Sequence, residues 1–338
     1  MNSNLYKLSV IILIISCKVV LIGYFLLGID QLIDGPDTLY YHAYALGQND
    51  YASSIWPKIL RELYQYGLYS KNGVTAFNVI LSVILIPLLA AKIVHKNESF
   101  NVFIVLSLYA SLLFFSKGIN RDMIMTLMML LAFINISSEA NHKTNYIVFF
   151  ILSVFLFYFR PYIGVALLTT AFTYKLISRL SINIWKCVVI YFLALIFLKL
   201  SGALEAIILY RSGFDDLDAG SNLGINLNAS NPFVFIFNFI KSVVFQLFGF
   251  YIIESKSLIL FFIESFPFML MMTMVIRRKE FFDDFCWFIL VFFVTYSTIW
   301  CLGNDNLGTA IRLRIPSYIS IVILYFYTKT RYEMTLRV

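Results

Sequence analysis

The chain alternates long apolar stretches with short polar connectors from end to end. The apolar stretches fall at residues 8–29, 73–94, 100–116, 122–137, 146–159, 162–178, 184–200, 257–276, 285–302 and 315–329. A hydrocarbon core of about 30 Å is crossed by about 20 apolar residues in helical conformation. The pattern therefore predicts an all-α, polytopic membrane protein of about ten transmembrane helices, not a barrel. The first stretch, Leu8 to Ile29, is too long for a signal-peptide core, and the acidic DQLIDGPD follows it in place of a small-residue cleavage site. It reads as a retained span.

Positive charge orients the scheme. Short connectors carry Lys92 and Lys96, Lys143, Lys175 with Arg179 and Lys186, Arg277-Arg278-Lys279, and the tail residues Lys329, Arg331 and Arg337. Placing these inside puts both termini in the cytoplasm and leaves two long outer segments, residues 30–72 and 201–256. The second contains NPFVFIFNFIKSVVFQLFGFY, apolar enough to pass for a further span. Counting it so would turn Arg277-Arg278-Lys279 outward, against the charge rule, so an interfacial or re-entrant helix pair is expected, with Lys241 at headgroup level. No repeat or soluble domain interrupts residues 1–338, which read as one integral membrane domain.

Composition sharpens this. Of 338 residues 60% are hydrophobic and only 13% charged, and the mean hydropathy is +0.82, outside the balance of soluble domains. The net charge of +7 sits at span ends and not in a basic stripe, which argues for membrane orientation and against nucleic acid. Cys17, Cys187, Cys286 and Cys301 fall in apolar segments without disulfide or metal-ligand spacing and read as packing residues.

Four charged clusters gather on the outer side. In DGPDTLYYHAYA, Asp34 and Asp37 flank a Gly-Pro turn ahead of His42, and Asp37 suits either a helix N-cap or proton transfer. In FFSKGINRDMIM, Lys117 and Arg121 would share a helical face at i,i+4, either as snorkelling cations or around an anion, with Asp122 in partial neutralisation. In FYFRPYIG, Arg160 occupies a short outer turn, and its planar fork suits phosphate or carboxylate. In GNDNLGTAIRLRIP, an extended approach to Pro316 would turn Arg312 and Arg314 to one side, with Asp305 in a flexible loop before them. Pro316 is expected in the first turn of the last helix. Outward arginines run against the inside bias for positive charge, so an anionic partner is expected. A lipid-linked diphosphate bearing sugars fits: cations take the diphosphate, aromatic faces the sugar rings, and a carboxylate a hydroxyl proton.

With these motifs in this order the chain resembles the Wzy-type polysaccharide polymerases and allied membrane glycosyltransferases that build O-antigen, capsule or exopolysaccharide in bacteria. The resemblance implies a glycosyltransferase-C-like fold in the bacterial inner membrane, joining oligosaccharide repeat units carried on undecaprenyl diphosphate at the periplasmic face. It implies diphosphate contacts from Arg160, Arg312 and Arg314 with Lys117 and Arg121 in support, and a base at Asp37 or, second, Asp305, with His42 orienting or sharing the proton. No cofactor or metal is expected, and the implied partners are the bilayer, the lipid-linked oligosaccharide, and a chain-length regulator and flippase of the same pathway. This chain is shorter than many such polymerases, and Asp215, Asp216 and Asp218 in its modest late loop read as a solvated acidic run. A single-sugar transferase using a polyprenyl-phosphate donor is the near alternative. A lipid-oligosaccharide transporter is the rival class; it calls for intramembrane charges and often a repeat, and Lys18 is the one clearly mid-span charge in this reading.

Overall fold

A computed structural model describes residues 3–26, 35–52, 54–137, 142–179, 184–213 and 222–335. Asp34, Asp215, Asp216, Asp218 and Arg337 lie outside the described residues. The protein is all-helical, with no strand among the described residues, and it divides into two compact units, Met1–Gly164 with Lys329–Val338, and Val165–Thr328.

The first unit begins with α1 (Ser3–Leu26), then α2 (Pro36–Ala45) and α3 (Ile55–Gln65). A 23-residue span follows, Lys71–Ile93, made of α4 (Lys71–Ile80) and α5 (Ile86–Ile93) around a π turn at Leu81–Leu85. The cause of that turn is Pro87. Proline has no N–H and crowds the carbonyl four residues back, and widening the turn lets Ile86 N–H bond Leu81 O five residues back. Next come α6 (Lys96–Ser107) and α7 (Ala110–Ser116), bent by 55° at their junction, then α8 (Asp122–Ser137) and α9 (His142–Phe159). Glu98, buried in the first turn of α6, is held by Lys329 Nζ at 2.6 Å and Asn101 Nδ2 at 2.6 Å.

The α9 end explains the RPYIG motif. Pro161 opens α10 (Pro161–Arg179), where its missing N–H has no intrahelical duty, and Gly164 lies against the backbone of Phe157. A Cβ on Gly164 would stand 2.5 Å from both Phe157 Cα and Phe157 N.

The second unit takes α10 from Val165, then α11 (Ile184–Leu200) and α12 (Glu205–Ser212), whose described parts bend by 78°. After an extended segment come α13 (Pro232–Gln246) and the span Ser255–Arg277, formed by α14 (Ser255–Leu260) and α15 (Phe266–Arg277) around a second π turn, Phe261–Ser265. Pro267 has the same effect there: Phe266 N–H reaches back to Phe261 O. The unit ends with α16 (Asp284–Gly303) and α17 (Leu307–Thr335). Its core is aromatic, with Phe268 stacked on Tyr318 at 4.0 Å between ring centroids and Phe292 stacked on Tyr296 at 5.6 Å. Asp283 caps α16 through a 2.8 Å bond from Cys286 N–H and accepts the Tyr327 hydroxyl at 3.0 Å.

Among the described residues, four helices are long and apolar enough to cross a membrane, or six if each bent pair is one span. Four expectations change. α17 begins nine residues before Pro316, which therefore lies inside the helix; burial of the long apolar run beyond it offsets the lost hydrogen bond. Arg312 and Arg314 accordingly stand about 200° apart on a helix and do not share a side. Lys117 ends α7 and Arg121 precedes α8, so no helical face joins them; the SKGIN run is a turn. The apolar 232–251 segment is one helix ending at Gln246, after which Gly249 takes φ +72° and the chain extends, not a helix pair.

Because backbone atoms and not a flexible side chain meet the added Cβ, Gly164→Ala overpacks the α9–α10 turn. The purified protein is expected to lose about 1–3 kcal/mol of stability, seen as a lower thermal midpoint in detergent micelles. An unchanged midpoint would mean that the turn opens without cost.

Candidate functional site

Three of the four charged clusters come together in the first unit. Trp56 of α3 donates its indole N–H to Ile119 O at 2.8 Å, and its ring packs on Phe159 at 6.1 Å between centroids. Thr38 of α2 is buried against Gly118, where a Cβ would meet Thr38 Oγ1 at 2.5 Å. Asn78 of α4 donates to Gly118 O and Asn120 O, both at 2.8 Å, and so fixes the turn from below. Arg121 donates to Phe159 O at 2.6 Å, while Arg160 pairs with Asp122 at 3.3 Å. The α8 start and the α9 end are thus braced reciprocally by two guanidiniums.

Their side chains differ in what they leave over. The Arg160 side chain is 13% exposed and its Nη1 alone bonds a described group, Asp122, itself 3% exposed. A guanidinium has five N–H donors, so most of the Arg160 fork stays available to an anion. Lys117 lies over the Phe114 ring at 4.3 Å, the posture of a cation at an aromatic face.

Asp37 is not the N-cap of α2. Gly35 holds that position with no side-chain bond, because Pro36 sets the first helical residue one earlier; Asp37 falls at the second position, half-buried. A carboxylate there meets the positive end of the helix dipole. One turn on, His42 Nδ1 and Tyr69 Oη are 2.8 Å apart. Burial pushes the Tyr69 phenol up to about 12, so it stays protonated at neutral pH. The pair can fix the imidazole orientation.

The second unit holds the fourth cluster in a different state. Asp305 is 2% exposed, with Oδ1 paired to Arg211 of α12 and Oδ2 accepting Gly224 N–H at 2.8 Å. Arg211 also bonds Cys301 O at 3.1 Å and Asn304 O. Gln246 and Asn304 exchange two bonds, Asn304 Nδ2 to Gln246 Oε1 at 2.6 Å and Gln246 Nε2 to Asn304 O at 2.8 Å. Arg314, 4% exposed, gives Nε to Gln246 O and Nη2 to Phe245 O, closing the carbonyl end of α13. Tyr318 does the same for Leu247 O at 2.7 Å. Arg312 is half-buried and engaged in contacts of its own.

Two residues escaped the sequence reading. Arg211 ends the apolar run in EAIILYRSG, where a lone arginine after an apolar turn was visible as a charge needing a partner. Glu264 is a buried carboxylate in the π turn of the Ser255–Arg277 span, so Lys18 is not alone as a mid-span charge.

Comparison with family models, curated proteins and solved structures gives no match to this chain.

Removing Arg211 leaves the buried Asp305 carboxylate uncompensated. Arg211→Met is expected to cost about 3–5 kcal/mol in thermal unfolding of the micellar protein, and Arg211→Met with Asp305→Leu to recover most of it. Equal loss in the single and double variants would show that the pair itself is not what matters.

Proposed function

We propose that this chain is a membrane glycosyltransferase that polymerises undecaprenyl-diphosphate-linked oligosaccharide repeats at the outer face of a bacterial inner membrane. The observation that carries the reading is the partly open Arg160 fork, gathered with Arg121 and Lys117 at the turn against which α2, bearing Asp37 and His42, packs. That turn offers cations for a diphosphate and a carboxylate on a neighbouring element.

In this reading an acceptor sugar hydroxyl attacks the anomeric carbon of the donor chain. The bond from that carbon to the diphosphate oxygen breaks, and undecaprenyl diphosphate leaves with the electron pair. Arg160, with Arg121 and Lys117, holds the negative charge that develops there. Asp37 takes the hydroxyl proton and His42, steadied by Tyr69, orients it. Asp305 would have to surrender Arg211 or Gly224 N–H to act as base, which leaves Asp37 first. Arg314 closes a helix end, and Arg312, in the second unit, is no part of this turn. The proposal takes the ten-span, glycosyltransferase-C-like arrangement with cytoplasmic termini, counting α8 and α9 as spans, and a flippase and chain-length regulator as pathway partners.

A second reading, transport of the same lipid-linked oligosaccharide, is favoured by Lys18, whose buried Nζ meets no hydrogen-bond partner among the described residues, and by buried Glu264.

The test is surface-polysaccharide length in cells lacking the native copy, with membrane abundance checked alongside. Arg160→Lys keeps the charge beside Asp122 but loses the bidentate fork, and long chains should give way to single-repeat product. Asp37→Asn should do the same, since loss of a general base costs about 10²–10⁴-fold in rate. Long polymer in both variants would overturn the proposal. Loss of even single-repeat product from the surface would point to transport.

A further inference from the structure

The contact between His42 and Tyr69 fixes more than the position of a ring. Tyr69 is held on both sides along the chain. α3 ends in a reversal, with Gly67 at φ +69° and the N–H groups of Leu68 and Tyr69 both on Leu63 O, at 2.8 and 3.1 Å. Ser70 then caps α4 by accepting Gly73 N–H at 3.0 Å. The Tyr69 ring also stands edge-on to Tyr64, 6.3 Å between centroids. This corner delivers the Tyr69 hydroxyl to α2, 2.8 Å from His42 Nδ1.

One hydrogen lies between these two atoms, and their other bonds decide whose it is. Among the described residues the Tyr69 hydroxyl has no hydrogen-bond partner besides His42. If the imidazole supplied the hydrogen, the phenol O–H would be left without a protein acceptor, and a phenol oxygen accepts far more weakly than a bare imidazole nitrogen. If the phenol supplies it, both groups are satisfied. Burial, which pushes the phenol up to about 12, keeps that proton in place at neutral pH. A neutral imidazole carries one N–H, so with Nδ1 accepting, the hydrogen sits on Nε2. Nε2 bonds no described group, on a ring that is only half-buried.

A nitrogen that already bears hydrogen donates and cannot take a proton. Helix geometry also sets the two candidate groups of α2 apart: with 3.6 residues per turn, Asp37 and His42 stand about 140° from each other around the axis. They approach one ligand from different directions. His42 shares its face, four residues on, with Thr38, which packs on Gly118 in the turn that carries Lys117.

We propose that Tyr69 is a positioning residue that holds His42 as the Nε2–H tautomer, and that His42 so held donates a hydrogen bond to the acceptor hydroxyl oxygen while Asp37 takes its proton. A hydroxyl oxygen has two lone pairs, so one accepts from Nε2–H and the other attacks. The donor role rests on the polymerase reading; the tautomer does not.

Nitrogen NMR on the full-length protein, isotope-labelled at its histidine rings and held in detergent micelles at about pH 8.5, where an ordinary imidazole is neutral, reads the tautomer. A ring nitrogen that bears hydrogen resonates far from a bare one. The chain has three histidines, and the signals missing from His42→Gln assign the ring in question. In the wild type Nε2 should show the hydrogen-bearing shift and Nδ1 the bare one, and in Tyr69→Phe both should move part of the way towards their mean. Hydrogen on Nδ1 in the wild type, or an unmoved spectrum in Tyr69→Phe, overturns the assignment. Polymer length in cells tests the donor role separately. Glutamine presents an amide N–H₂ near the place of Nε2–H and takes no proton, so His42→Gln should keep more long polymer than His42→Ala at equal membrane abundance. Equally short product in both, or full-length polymer in His42→Ala, overturns the donor role. Normal polymer in Asp37→Asn cells would sink the polymerase reading while the ring spectrum still decides the tautomer.

Discussion

Backbone amides and carbonyls buried among apolar side chains have no water to turn to, and this chain interrupts its helices repeatedly. Several of these interruptions are closed by side chains or a rearranged turn. Pro87 and Pro267 are accommodated by π turns that bond five residues back. The end of α13 is closed by Arg314 on the carbonyls of Phe245 and Gln246 and by Tyr318 on that of Leu247. The turn between α7 and α8 is closed by Asn78 from below and Trp56 from the side.

This constraint separates polar residues that hold the fold from those with bonding capacity to spare. An arginine at a membrane boundary looks the same in sequence whether it caps carbonyls or waits for an anion, because the distinction lies in partners distant along the chain. Arg314 finds its carbonyls 68 and 69 positions away, and Asp305 its guanidinium 94 positions away. Arg160 meets Asp122 with one nitrogen and keeps the rest of its fork. The same residue type thus serves as cap, as ion-pair partner and as open donor within one chain.

What was legible in the sequence was whatever depends on local composition. The apolar runs predict the helices at 71–93, 255–277 and 284–303 within a few residues, since length and hydropathy alone define them. The clusters around Asp37, Lys117 and Arg160 were legible as charge at the ends of apolar runs, and their meeting follows from contacts no local pattern encodes: Thr38 on Gly118, Trp56 on Ile119, Arg121 on Phe159. Pro316 misled for a physical reason. Proline at a helix start and proline inside a buried helix share one local signature, and tertiary burial of α17 selected the second. Glu264 was hidden by its surroundings, FFIESFPF, whose mean hydropathy masks a single carboxylate.

The two π turns carry this argument into chemistry. A π turn displaces the residues after it by part of a turn, so side chains that an unbroken helix would send to lipid come to face the interior. Ser82 in the first turn bonds Leu112 O at 3.0 Å, and Ser265 in the second lies 3.0 Å from the Tyr318 hydroxyl. Proline is therefore the sequence cause, the widened turn its local consequence, and a polar residue held in the protein interior the result. Glu264, adjacent to Ser265 in that turn, is likewise buried. A buried carboxylate is costly without partners, and Glu264 has contacts of its own inside the protein, which is how an ionisable group persists among helices that otherwise offer little but carbon.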